Sequence, residues 1–125
     1  MDINKVTTAM IDYYQGQPKR IQHFLKVHAY AKLIGEQERL DKETLEILEV
    51  AALTHDIGIK VSEQKYNSSA GKYQEVEGPA VAQQMLGDLQ YDKAKTDRVC
   101  YLIGHHHTYD QIDGIDYQIL VEADF

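Results

Sequence analysis

Residues 51–60, AALTHDIGIK, end an apolar run with a histidine and an aspartate side by side, His55 and Asp56, followed by Gly58. Burying an ionisable side chain is costly unless something pairs with it. Upstream, Leu45, Leu48 and Ala52 recur at helical spacing, and His55 and Asp56 continue that stripe, so the pair extends a core-facing surface. A helix that stops at Gly58 places Asp56 close to a C-terminus, where an anion is disfavoured by a few tenths to about 1 kcal/mol. A cation should compensate it. A divalent metal bound by neutral imidazole and carboxylate satisfies both side chains and accounts for their place at the edge of a core.

The rest of the chain reads as helices arranged around that stretch. Asp41 is the expected cap of the helix that carries it. Before it, a break at Gly16-Gln17-Pro18 separates a short helix over about 3–15 from a second running from Pro18 to about 38. After it, the polar stretch SEQKYNSSAGKYQEVEG, residues 62–78, reads as a long connection of possible function, leading to a helix over about 79–89. Asp92 opens a further helix whose stripe of Val99, Leu102, Ile103 and His106 runs into His105-His106-His107. The turn Asp113-Gly114 then precedes a last segment in which Tyr117, Leu120, Val121 and Asp124 share a face. The expected fold class is all-α, a bundle of about five to seven helices forming one domain over 1–125.

Composition narrows the function. Of the 125 residues, 43% are apolar and 26% charged, ordinary globular values. No apolar run approaches the roughly 18 residues that suggest a membrane helix, so no membrane association is expected. The 20 acidic against 13 basic side chains give a net charge of −7, which argues against a nucleic-acid polymer as partner. Cys100 is the single cysteine, most simply a buried small hydrophobe, and the N-terminus has no signal-peptide pattern. A reducing cytoplasm is the expected location. The chain has no P-loop, GxGxxG, HExxH, CxxC or Ser-centred elbow.

The segment RIQHFLKVHAYAKLIG, residues 20–35, together with AALTHDIGIK and the closing ILVEADF, resembles the HD superfamily of metal-dependent phosphohydrolases. The family's ligand order, H then HD then D, is met by His23, by His55 and Asp56, and by Asp124. Periodicity alone leaves His23 and His28 as alternatives, since both lie on helical rows; the resemblance selects His23. It implies an HD-domain helical bundle and a metal set of His23, His55, Asp56 and Asp124. The ion would be a divalent transition metal, Mn, Fe, Co, Ni or Zn with Mg less natural for imidazole, at one per chain.

The same resemblance implies hydrolysis of a phosphoester by metal-activated water, on a small phosphorylated substrate such as a nucleotide. Asp56, His105, His106 and Lys60 are the catalytic candidates. Either histidine could protonate the leaving oxygen or hold phosphoryl oxygens, and Lys60, one residue later than the Lys of the family's HDIGK, could offset developing charge. Lys65, Lys72 and the segment KYNSSAGKYQ could hold a phosphate, and Arg20 has a similar claim. The run Gly104-His105-His106-His107 resembles the paired histidines with which some members bind a second metal. Gly78-Pro79, however, stands where those members carry His-Pro, and the GYP signature is absent, which favours a single ion. Asp124 is the penultimate residue, whereas the family's helix normally continues, so a C-terminal extension can be lacking. Two other readings stay open, an HD-type diiron oxygenase and a non-catalytic HD module that binds metal or nucleotide. A homodimer is compatible with the sequence.

Overall fold

In the computed structural model, which describes residues 2–125, the chain forms seven helices. They are α1 (Ile3–Tyr13), α2 (Pro18–Gln37), α3 (Lys42–Thr54), α4 (Ile59–Tyr66), α5 (Gly71–Asp88), α6 (Lys93–Ile103) and α7 (Ile115–Asp124). No strand occurs among the described residues, in agreement with the all-α expectation. Three aspartates set helix starts by accepting a backbone N–H: Asp2 from Asn4 at 2.9 Å, Asp41 from Thr44 at 2.7 Å and Asp92 from Lys95 at 3.0 Å. Each such cap contributes about 1 kcal/mol. Pro18 opens α2 at a position whose N–H has no intrahelical partner in any case. Gly16, at φ +84°, makes the left-handed turn between α1 and α2 that a residue with a Cβ would adopt only with strain.

α2 packs on α3 and α7, α3 also meets α6 and α7, α5 lies against α4 and α6, and α1 covers α3. Phe24, Val27, Leu48, Leu53, Leu102 and Leu120 are fully buried between them. No helix among the described residues is long and apolar enough to cross a membrane. The start of α2 comes together with the ends of α3 and α7, so residues far apart in sequence meet at one end of the bundle.

The stretch 62–78 departs from the expected long connection. Only residues 67–70 lie between helices; the rest belongs to α4 and α5, and α5 begins at Gly71, eight residues before Pro79. Two features explain this. Asn67 adopts a left-handed conformation (φ 53°) and ends α4, so a short turn suffices. Pro79 is tolerated inside α5 because the residue before it is Gly78, which lacks the Cβ that normally clashes with the proline ring. Gly58 also differs from its expected role as a simple stop. A Cβ there would lie 2.8 Å from Gln74 O and from Gly78 N, so the two glycines let the start of α4 approach the backbone of α5 directly.

Candidate metal centre

α3 ends at Thr54, and the chain makes one tight turn through His55, Asp56 and Ile57 before α4. Within that turn His55 is completely buried, and its Nδ1–H donates to Ala52 O at 2.7 Å. A carbonyl can only accept, so Nδ1 carries the proton and Nε2 of the neutral ring is bare. Tyr14, buried at the end of α1, donates to the Asp56 carbonyl at 2.7 Å and pins the turn.

Around His55 Nε2 stand Asp124 Oδ1 at 3.1 Å, His23 Nε2 at 3.3 Å and Asp56 Oδ2 at 3.4 Å. His23 Nε2 in turn lies 3.1 Å from Asp124 Oδ1 and 3.3 Å from Asp56 Oδ2. Donor atoms bound about 2.1 Å from one ion stand roughly 3.0 Å apart at octahedral angles and about 3.4 Å apart at tetrahedral ones, so these separations fit a shared cation. His106 gives an independent test. Its Nδ1–H donates to Ile103 O at 2.6 Å, which leaves Nε2 bare. That nitrogen is buried without a hydrogen-bond partner and faces Asp56 Oδ1 at 3.5 Å, too long for a hydrogen bond. A bare imidazole nitrogen aimed at a carboxylate oxygen calls for a cation between them.

The protonation equilibria carry the same demand. Hydrogen bonds to Asp124 and Asp56 outweigh burial and hold His23 up at about 9. Burial works against the charged form of His55, but the Asp56 charge and the Asp124 hydrogen bond push it well above the usual imidazole range. Burial would raise both carboxyls, yet neighbouring imidazoles hold Asp56 and Asp124 well below the usual carboxylate range. Two carboxylates thus stabilise positive charge at this point. Without a metal, protons supply it; a divalent ion would replace them.

A sequence model of the HD domain family matches residues 20–124. The chain is a member of the HD domain family. No curated protein and no solved structure is similar enough to match it. HD domains are for the most part metal-dependent hydrolases that bind divalent ions, and the histidine and aspartate groups of this one fit such an ion.

Within this HD domain the structure brings His23, His55, Asp56 and Asp124 together, and it distinguishes the three consecutive histidines. His106 and His107 share a second group of potential ligands with Asp56. His105 faces elsewhere: its ring stacks on Tyr101 at 4.1 Å and its Nδ1–H donates to Tyr101 O at 2.8 Å. The helix ends at Ile103 and the three residues follow a turn, so helical spacing does not give the directions of His105 and His107. Lys60 also differs from expectation, since its ammonium lies 4.8 Å from the centre of the Tyr13 ring, outside the cavity over the metal group. Lys65 pairs with Glu77 at 3.1 Å, and Lys72 lies over Tyr73 at 4.9 Å. His28 pairs with Glu49 at 2.9 Å.

Sequence reasoning missed the supports of His107. Gln74 Nε2 donates to Ser69 O at 2.6 Å, so its Oε1 faces His107 Nε2 at 3.2 Å and receives that nitrogen's proton. Glu75 accepts from His107 N and from Thr108 Oγ1, and Gly71 leaves room for the imidazole, whose Cγ would lie 2.9 Å from a Cβ there. Tyr117 closes the same turn by donating to His105 O at 2.8 Å. Gln74 and Glu75 carry no signal in the sequence that separates them from surface polar residues. The cavity in front of the metal group, about 430 Å³, is walled by Arg20, Ile59, Gln74, His107 and Tyr109.

Proposed function

We propose that this HD domain is a metal-dependent phosphohydrolase that cleaves a phosphoester of a small substrate, a nucleotide or related phosphorylated metabolite, with water as the nucleophile. The observation that carries the reading is the convergence of bare imidazole nitrogens on carboxylate oxygens at 3.1–3.5 Å, beneath a cavity open to solvent. His23, His55, Asp56 and Asp124 would hold the ion. When bound, a divalent ion supplies positive charge for a phosphoryl oxygen and lowers the pKa of water from 15.7 toward about 7.

The chain's own groups do the rest. Arg20, paired with Glu63 at 3.6 Å, stands at the rim where an incoming phosphate meets it. Burial pushes His107 below the usual imidazole range and favours its neutral form. With its Nε2–H given to Gln74, neutral His107 offers a bare Nδ1 that can take a proton. Ile59 and Tyr109 supply the less polar walls. Asp56→Ala should remove metal and turnover together. The check is phosphate or nucleoside release from a phosphoester panel, on chelator-treated protein resupplied with Mn, Co, Ni, Zn or Mg. Full metal-dependent turnover in that variant would sink the assignment.

A second reading rests on the two ligand groups joined at Asp56, whose Oδ2 faces His23 and His55 while Oδ1 faces His106. This arrangement suits two ions rather than the one expected from sequence. Position 78, where the binuclear relatives' histidine was missed, has no room for a side chain, since a Cβ there would lie 2.7 Å from Ile103 Cγ2. Elemental analysis giving two ions per chain would select the two-ion centre, and two irons with no phosphoester turnover would favour an oxygenase.

A further inference from the structure

We infer that the face of α2 beside the metal group is a subsite for a second phosphate of the same substrate, so that the preferred ligand is a polyphosphate chain rather than a monophosphate. This rests on the reading of the neighbouring centre as a phosphate site.

The first observation is one of charge placement. The chain has 20 acidic residues, yet residues 13–35 contain no Asp or Glu, and they hold Lys19, Arg20, Lys26 and Lys32. Two of these cations, Lys19 and Arg20, occupy the first turn of α2, which has no acidic residue and no side-chain cap. The positive end of a helix disfavours cations, and no capping aspartate offsets these two, whereas the first-turn lysines of α1, α3 and α6 each follow an aspartate cap. The uncapped starts of α4 and α5 also carry lysines, but Lys60 and Lys72 lie over the Tyr13 and Tyr73 rings. Lys19 and Arg20 instead belong to the acid-free stretch 13–35, a setting that favours an anion beside them.

The second observation is geometric. Lys19, Gln22, His23 and Lys26 fall on one row of the helix and line a hollow of about 280 Å³. His23 belongs to both this hollow and the cavity over the metal group, so the two spaces adjoin across its ring. Along the helix axis Lys19 stands roughly 6 Å to one side of His23 and Lys26 roughly 4.5 Å to the other. Lys32, Lys65, Lys93 and Lys95 each pair with a carboxylate. Lys19 and Lys26 have no ion-pair partner among the described residues, and on this acidic molecule they remain available to an anion. A chain of phosphates entering past Arg20 would set one group at the metal and the next against the two ammonium groups. A long nucleic acid is disfavoured by the net charge of −7.

The test compares binding of inorganic tripolyphosphate with that of orthophosphate by calorimetry, on the metal-loaded protein in excess magnesium. The proteins are wild type, the double variant Lys19→Gln/Lys26→Gln, and a control, Lys5→Gln/Lys42→Gln, with the same change in net charge. Wild type should bind tripolyphosphate more tightly. The α2 variant should lose about tenfold in that affinity and keep its orthophosphate affinity, while the control stays at wild type. Equal affinities of wild type for the two anions, an unchanged α2 variant, or an equal loss in the control would each overturn the subsite. A parallel hydrolysis assay separates the two ideas: lysine-dependent tripolyphosphate binding without turnover of any phosphoester would keep the subsite and remove the hydrolase.

Discussion

At the residue scale, the second nitrogen of each imidazole decides what the first can do. His55 and His106 both commit Nδ1–H to a backbone carbonyl three residues back, Ala52 O and Ile103 O, and so present Nε2 toward Asp56. Such backbone partners fix the tautomer and orientation of a metal-binding histidine. His105 spends its Nδ1–H in a similar way, on Tyr101 O, but its ring is held against Tyr101 rather than over the metal group. His106→Ala should therefore lower metal content or affinity by tenfold or more, on the order of a lost ligand or its support. His105→Ala should keep metal binding and cost on the order of 1 kcal/mol of stability from the lost ring stack. Metal titration and thermal melting of the two variants check this, and a His105→Ala protein that no longer binds metal would reverse the assignment. The sequence shows that histidines gather at this turn. The apolar stripe of Val99, Leu102 and Ile103 also places His106 inward, as the structure has it. The sequence does not give the directions of His105 and His107, which are set by partners such as Tyr117 and Glu75 that arrive from other helices.

At the scale of elements, the helices with clear signals were legible: a capping aspartate before α3 and α6, Pro18 at the start of α2, and an apolar stripe in each. Residues 62–78 were not, because polar and small residues there are compatible with a loop until α6 provides a surface for α5 to cover. The glycines mark those contacts, and they predict different costs. A Cβ on Gly58 meets backbone atoms of α5 at 2.8–2.9 Å, which cannot move without separating two helices. Gly58→Ala should cost about 2–3 kcal/mol and lower Tm by roughly 8–15 °C. A Cβ on Gly71 meets the His107 ring, which can turn aside. Gly71→Ala should keep Tm within a few degrees of wild type while reducing turnover, since His107 leaves its place beside Gln74. Calorimetry with a turnover assay distinguishes the pair; equal destabilisation by both would contradict the account.

At the scale of the whole molecule, helix packing brings a turn after α3, the first turns of α2 and the end of α7 to one point, and the assembled charges tie stability to metal and pH. The ordered set of His23, His55, Asp56 and Asp124 was readable because the family resemblance fixes their order; their mutual distances follow only from the packing. In the metal-free protein His23 titrates at about 9, above its ordinary value near 6.5. A raised imidazole stabilises the fold fully below the unfolded value and loses that contribution as pH rises through the folded one. His55 shifts in the same direction. Asp56 and Asp124, held low, stabilise above the ordinary carboxylate range and lose their contribution only in strong acid. Chelator-treated protein should thus be most stable between about pH 4 and 6.5 and lose stability from about 6.5 to 9. With the His23 side chain 35% exposed, solvent screening reduces its share of that loss to on the order of 1 kcal/mol. Bound metal should invert the trend, because an ion needs the imidazoles deprotonated and releases their protons as it binds. At a hundredfold excess over its Kd it adds about 2.7 kcal/mol. The rise in Tm on adding Mn should be larger at pH 8.5 than at pH 6, and it should vanish at both in Asp56→Ala. A metal-induced rise that is the same at the two pH values would mean that the ion binds somewhere other than among these imidazoles.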